Sequence, residues 1–215
     1  MIAITFALPT ESRAFRRFLG NRAPEVALLH TGVGEKICSA RIAQFLESNH
    51  FDLLISSGFA GGADPSLRAG DLLLAENFSD PELLQQACDI LEARVGKLVT
   101  AAAVIESETD RAQFALQNGA VAVDMETEFI SRACAARNLP MLSLRAISDT
   151  VTKPFPAPPS VLFDIDEQRT DPGKLARYFL RHPSRVVRLM HFARQIADAR
   201  SDLTAALLVL LRQFA

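Results

Sequence analysis

Short apolar runs alternate along this chain with longer stretches whose apolar side chains recur every three to four positions. Runs of the first kind predict buried strands over residues 2–7, 25–30, 52–57, 71–76, 97–105, 119–123 and 141–147. Stretches of the second kind predict helices over 10–19, 35–48, 81–95, 110–118 and 125–136. Asp80 is the expected N-cap of the helix that opens at Pro81. A proline-rich segment, Lys153-Pro154-Phe155-Pro156-Ala157-Pro158-Pro159, cannot continue a helix. Beyond it, residues 171–215 predict two or three helices broken at Pro183. Alternating strands and helices point to an α/β fold, a central sheet flanked by helices. The expectation is a single domain over 1–215 with a helical C-terminal extension from about 160.

Composition narrows the picture little. Of 215 residues 49% are apolar and 22% charged, an ordinary globular balance. Three scattered cysteines, Cys38, Cys88 and Cys134, make neither a disulfide framework nor a zinc site, and their odd number fits a reducing cytoplasm. Residues 1–8 lack the basic start and cleavage site of a signal peptide, and no run approaches the ~18 apolar residues of a spanning helix. His30, His50, His182 and His191 lack metal-like spacing. No Gly-x-Ser-x-Gly, dinucleotide or Lys-bearing phosphate loop is present.

Charge is more informative. Residues 168–200 carry Arg169, Lys174, Arg177, Arg181, Arg185, Arg188, Arg194 and Arg200 against only Asp171 and Asp198, in a chain of net charge −2. Two readings stay open for this tail. It is a solvated basic face whose apolar side packs on the domain or a second subunit, or it is a peripheral contact for an anionic membrane. Basic residues are not interleaved with aromatics, which argues against nucleic acid.

Candidate chemistry concentrates in Ala122-Val123-Asp124-Met125-Glu126-Thr127-Glu128 and Ser143-Leu144-Arg145-Ala146-Ile147-Ser148-Asp149. Each ends an apolar run with acids, and ligands of strand–helix–strand units collect at the carboxyl ends of strands. Glu126 and Asp149 can therefore meet on one small molecule. One ionised and one protonated carboxyl suit cleavage at an anomeric carbon, where the transition state resembles an oxocarbenium ion. The alternative is that Asp124 and Glu126 are helix-opening acids and Asp149 a cap.

These two stretches resemble the signature of the purine nucleoside phosphorylase and methylthioadenosine/S-adenosylhomocysteine nucleosidase superfamily. Three further stretches agree in order: Ala7-Leu8-Pro9-Thr10-Glu11, the glycine turn Thr31-Gly32-Val33-Gly34, and Ser57-Gly58-Phe59-Ala60-Gly61-Gly62-Ala63 followed by Leu67-Arg68-Ala69-Gly70-Asp71. The resemblance implies a nucleoside phosphorylase-like fold with a mixed sheet, and catalysis by Asp149 and Glu11. Asp149 would protonate purine N7 and Glu11 would position an attacking water. Met125 and Glu126 would hold the ribose. Gly58, Phe59, Ala60, Gly61 and Ser148 would line the base or an anion as a glycine loop. Thr31, Gly32, Gly34 and Arg145 are the candidates for phosphate, with pairing of Arg145 to a carboxylate the competing role.

Departures from the family bear on substrate. The interval between Asp71 and Asp124 is short for a nucleosidase. Its Thr100–Ser107 stretch offers no aromatic to stack on the base, which leaves Phe59 or Phe155. The tail, with Val161-Leu162-Phe163-Asp164, resembles the hopanoid-associated phosphorylase branch. That implies a 5′-substituted adenosine such as adenosylhopane, with methylthioadenosine or S-adenosylhomocysteine as the alternative. No metal or organic cofactor is implied. Inorganic phosphate is the one candidate co-substrate, and a homo-oligomer, a dimer first, is the implied assembly. A non-catalytic nucleoside-binding protein on the same fold is the reading from another class.

Overall fold

A computed structural model describes residues 1–19, 26–105, 107–150, 155–164, 167–168 and 170–214. Glu106, Lys153, Pro154 and Arg169 therefore lie outside the described residues. Eight strands form one mixed sheet: β1 (Ile2–Phe6), β2 (Val26–His30), β3 (Leu53–Gly62), β4 (Leu72–Ala75), β5 (Arg94–Gly96), β6 (Leu98–Thr100), β7 (Ala122–Asp124) and β8 (Met141–Asp149). The main order is β2-β1-β3-β8-β4-β5, with β7 pairing both β3 and β6. Strands β1, β2, β3 and β8 run parallel, β4 is antiparallel to β8, and β7 is antiparallel to β3.

Helices cover both faces, so the central strands read as continuous apolar runs. Helices α2 (Glu35–Glu47) and α5 (Thr127–Ala135) pack Cys38, Ile42, Ile130 and Cys134 on one face, against Ala3 and Leu54. On the other face Ile4, Phe6, Ile55 and Leu144 meet Phe15 of α1 (Arg13–Leu19) and Ala87 of α3 (Pro81–Ile90). The same cluster holds Leu203, Ala206, Leu207 and Leu210 of the long α8 (Val186–Phe214). Among the described residues the remaining α-helices are α4 (Glu108–Gln117), α6 (Pro159–Leu162) and α7 (Pro172–Arg181). The second half of the C-terminal helix is thus core, not appendage.

Several expected boundaries change for physical reasons. The helix expected over 81–95 stops at Ile90, because the exposed edge of β4 takes Arg94, Val95 and Gly96 as a strand. Asp80 caps it as expected, its Oδ1 accepting from the N–H groups of Glu82 and Leu83. The strand expected over 97–105 ends at Thr100, where its partner β7 also ends at Asp124. Helix α1 opens at Arg13 rather than residue 10, since Glu11 N–H turns back to Leu8 C=O. The expected glycine loop is not a loop: residues 58–62 extend β3, flanked by β8 and β7 on opposite sides. Ladder partners on both sides outweigh the weak strand propensity of three glycines.

Candidate active site

The carboxyl ends of β1, β3, β7 and β8 surround a cavity of about 180 Å³. Four acids line it, from three parts of the chain: Glu11, the pair Asp124 and Glu126, and Asp149.

Glu11 is placed by the turn that follows β1. Its Oε2 folds back to accept from the N–H groups of Ala7 at 3.0 Å and Leu8 at 3.3 Å. A Cβ added at Gly58 would stand 3.3 Å from this oxygen, so a glycine keeps the approach open. The side chain is buried, and burial pushes its pKa up to about 7 despite those two N–H donors and the positive charges of Arg145 and Arg200.

Glu126 precedes α5, and its orientation depends on Asp124. Asp124 accepts from Thr100 Oγ1 at 2.7 Å, from Thr127 N–H at 3.1 Å and from Arg145 Nε at 3.2 Å. Arg145 in turn donates to Ser56 C=O at 2.7 Å and Ser56 Oγ at 2.8 Å. This buried brace ties β7 and the start of α5 to β3 and β8. Glu126 Oε1 accepts from Gly34 N–H at 3.2 Å, which joins the first glycine turn to the site. Burial raises the Glu126 pKa, and the neighbouring carboxylates of Asp124 and Glu11 raise it further.

Asp149 ends β8 and is 1% exposed. Its Oδ1 accepts from Ser148 Oγ at 2.6 Å, and its Oδ2 forms an ion pair with Arg111 of α4. A Cβ on Gly61 would come within 2.6 Å of Arg111 Nη1, so Gly61 is what lets the guanidinium reach Asp149. Arg111 belongs to no motif. Its one sequence cue is that it is the sole Lys or Arg between Lys97 and Arg132.

The walls are apolar: Val33, Phe59, Ala101, Ala103, Val104, Ile105, Val123 and Phe155. Met125, Ala60, Gly61 and Ser148 also line the cavity. Phe155 is held edge-on by Phe192 of α8 at 5.6 Å, and Gln195 Nε2 donates to Ser148 C=O at 2.7 Å. A larger, more open groove of about 670 Å³ between Asp71, Arg94 and Asp202 holds none of these acids. Among the described residues no group of His, Cys, Asp or Glu is arranged to hold a metal ion.

The remaining expected site residues lie behind the wall rather than on it. Gly58 backs Glu11. The backbone N–H groups of the glycine turn are all engaged: Thr31 with Phe6 C=O, Gly32 with Ala7 C=O, Val33 with Gln168 Oε1 and Gly34 with Glu126. Arg145 serves Asp124 and Ser56, the pairing role weighed above.

Residues 76–181 match the model of the phosphorylase superfamily. A 5′-methylthioadenosine/S-adenosylhomocysteine nucleosidase of Staphylococcus epidermidis is 26% identical over 58% of this chain and 68% of its own length. Among solved structures, futalosine hydrolase of Helicobacter pylori superposes with a TM-score of 0.73 at 14% identity, covering 99% of this chain and 97% of that one. The nucleosidase of Colwellia psychrerythraea, solved in complex with adenine, gives 0.73 at 17% identity over 99% and 94%. Family match, relatives and shared fold agree with the order of the sequence motifs: the chain is similar, over its residues 76–181 and in its fold, to the phosphorylase superfamily and to these nucleosidases.

Proposed function

We propose that this protein hydrolyses the N-glycosidic bond of a purine nucleoside. The observation that carries the proposal is the convergence of three buried acids, Glu11, Glu126 and Asp149, on one cavity whose other walls are apolar apart from Arg111, Asp124 and Ser148. In this reading Glu126 accepts from the ribose hydroxyls, with Met125 against the sugar, and Phe59 or Phe155 packs on the base. Glu11 takes a proton from water as the water oxygen bonds to C1′. The C1′–N9 bond breaks, its electron pair passes into the purine, and Asp149, parted from Arg111 and protonated from solvent before the step, delivers that proton to N7. Two buried carboxylates that repel each other are relieved by positive charge between them, and an oxocarbenium-like sugar supplies that charge.

Water is favoured over phosphate by where the donors point. An anion needs free N–H groups or a cation; those of the Thr31–Gly34 turn and of Arg145 are already spent on protein acceptors, and Arg111, the cation on the cavity wall, is paired with Asp149. The names of the relatives, two nucleosidases and a hydrolase, support the same choice.

The proposed substrate class is a 5′-substituted adenosine. The adenine bound by one structural neighbour and the methylthioadenosine in the relatives' names support it, and Val104, Ile105 and Phe155 offer an apolar lining for the substituent. A longer apolar group such as that of adenosylhopane stays within this class. The test is adenine release from adenosine, methylthioadenosine, S-adenosylhomocysteine and a 5′-alkyl adenosine, with and without phosphate. Release that needs phosphate overturns hydrolysis. No release from any of the four overturns the substrate class. Asp149→Asn should lower turnover by about 10²–10⁴ while leaving nucleoside binding in place, whereas a non-catalytic binding protein would have no turnover to lose.

A further inference from the structure

Residues 172–197 contain six Lys or Arg (Lys174, Arg177, Arg181, Arg185, Arg188, Arg194) and not one Asp or Glu, while the rest of the chain carries a net −8. They form α7, a short 3-10 turn at Pro183–Arg185 and the first half of α8. The corner is internally pinned: Arg185 donates to Tyr178 Oη, and the Tyr178 ring lies against His182 at 4.6 Å. On α8, Leu189, Phe192 and Ile196 turn toward the body. Val187, Met190 and Arg194 recur at i, i+3 and i+7 on the opposite stripe. Apolar side chains stand in water here: Leu180 is 83% exposed, Val187 59% and Met190 54%.

We propose that the α7–α8 corner docks on the surface of an anionic lipid bilayer, with Leu180, Val187 and Met190 entering the headgroup region among phosphates paired by Arg181, Arg188 and Arg194. Cations interspersed with exposed aliphatic side chains on a short helical pair are the signature of interfacial binding. Nucleic acid would satisfy the cations but leave the aliphatic side chains without a partner. A second copy of this chain would require an interface core dense in charge, where interface cores are depleted of it. No described helix is long and apolar enough to cross a membrane, so the contact is peripheral.

This surface is independent of the proposed chemistry, and its test uses no substrate. The full-length protein is sedimented with vesicles of phosphatidylcholine alone and of phosphatidylcholine with phosphatidylglycerol, and chromatographed alongside to read its oligomeric state. Expected is binding to the anionic vesicles only. It should weaken by roughly tenfold or more in Arg181→Gln/Arg188→Gln/Arg194→Gln, and also in Val187→Ser/Met190→Ser, with melting temperatures unchanged because all five side chains are exposed. Three results would each overturn the proposal: no binding to anionic vesicles, binding that both variants retain, or variants that dissociate an oligomer while vesicle binding persists. Duplex DNA that competes vesicles off at equal charge would reassign the surface to nucleic acid.

Discussion

Glu11 is the residue whose environment makes the sharpest solution prediction. Its carboxyl is pushed from 4.5 to about 7 by burial, so the folded protein holds a proton there that the unfolded chain has already released. Folded protonation above unfolded protonation means that stability falls as pH rises through that window. The loss is on the order of 3 kcal/mol between pH ~4.5 and ~7 and is flat beyond. Glu126 is raised in the same direction. Denaturant titrations at several pH values should show Glu11→Gln nearly free of its share of this decline. As a general base the same group must be ionised, so kcat/KM should climb with pH through about 7. A profile with no limb near neutrality would remove Glu11 from the chemistry.

At the scale of elements, the site depends on the Asp124–Arg145 brace. Arg145→Met leaves Asp124 buried without its cation and strips Ser56 of two donors, which should cost about 3–5 kcal/mol by thermal or denaturant unfolding. The substitution should not change any dependence on phosphate, a result that separates a brace from an anion ligand. This scale also shows what could be read from the chain and what could not. Asp149 and Glu126 were legible because a strand end is a local event that an apolar run announces, whereas Met125 and Phe59 came only from the resemblance. Residues 58–62 were misread, since glycines announce a loop while the ladder from β7 and β8 is non-local. The strand at Arg94–Gly96 hid inside a helical pattern for the same reason, its cause being an edge of β4 about twenty residues earlier. Arg111 was invisible because a contact across 38 positions leaves no periodicity to detect.

Over the whole molecule, the strands of the sheet carry both the core and the reacting groups. Ile4, Ile55 and Leu144 face α1, α3 and α8, while the ends of those same strands lead into Glu11, Gly61 and Asp149. The wall formed by residues 101–105 and α4 has no such anchorage. It joins the rest through Arg111, the Ala101 N–H to Asp124 C=O bond and a small cluster of Ala63, Ala101, Ala115 and Val123. If one side of the cavity yields, it is this one.

The cavity's size then sets a clock. At about 180 Å³ it falls below the ~300–1,000 Å³ usual for small-molecule sites, and the Arg111–Asp149 contact occupies the corner where a base would be protonated. We therefore expect the α4 wall to give way before a nucleoside seats fully. Arrival should therefore be gated rather than encounter-limited. In rapid mixing with a tight-binding nucleoside analogue, the observed rate should level off as ligand is raised, at a ceiling equal to the opening rate. Arg111→Ala, which removes the ion pair tying α4 to the end of β8, should lift that ceiling. A rate that rises linearly without limit would mean that the doorway already stands open.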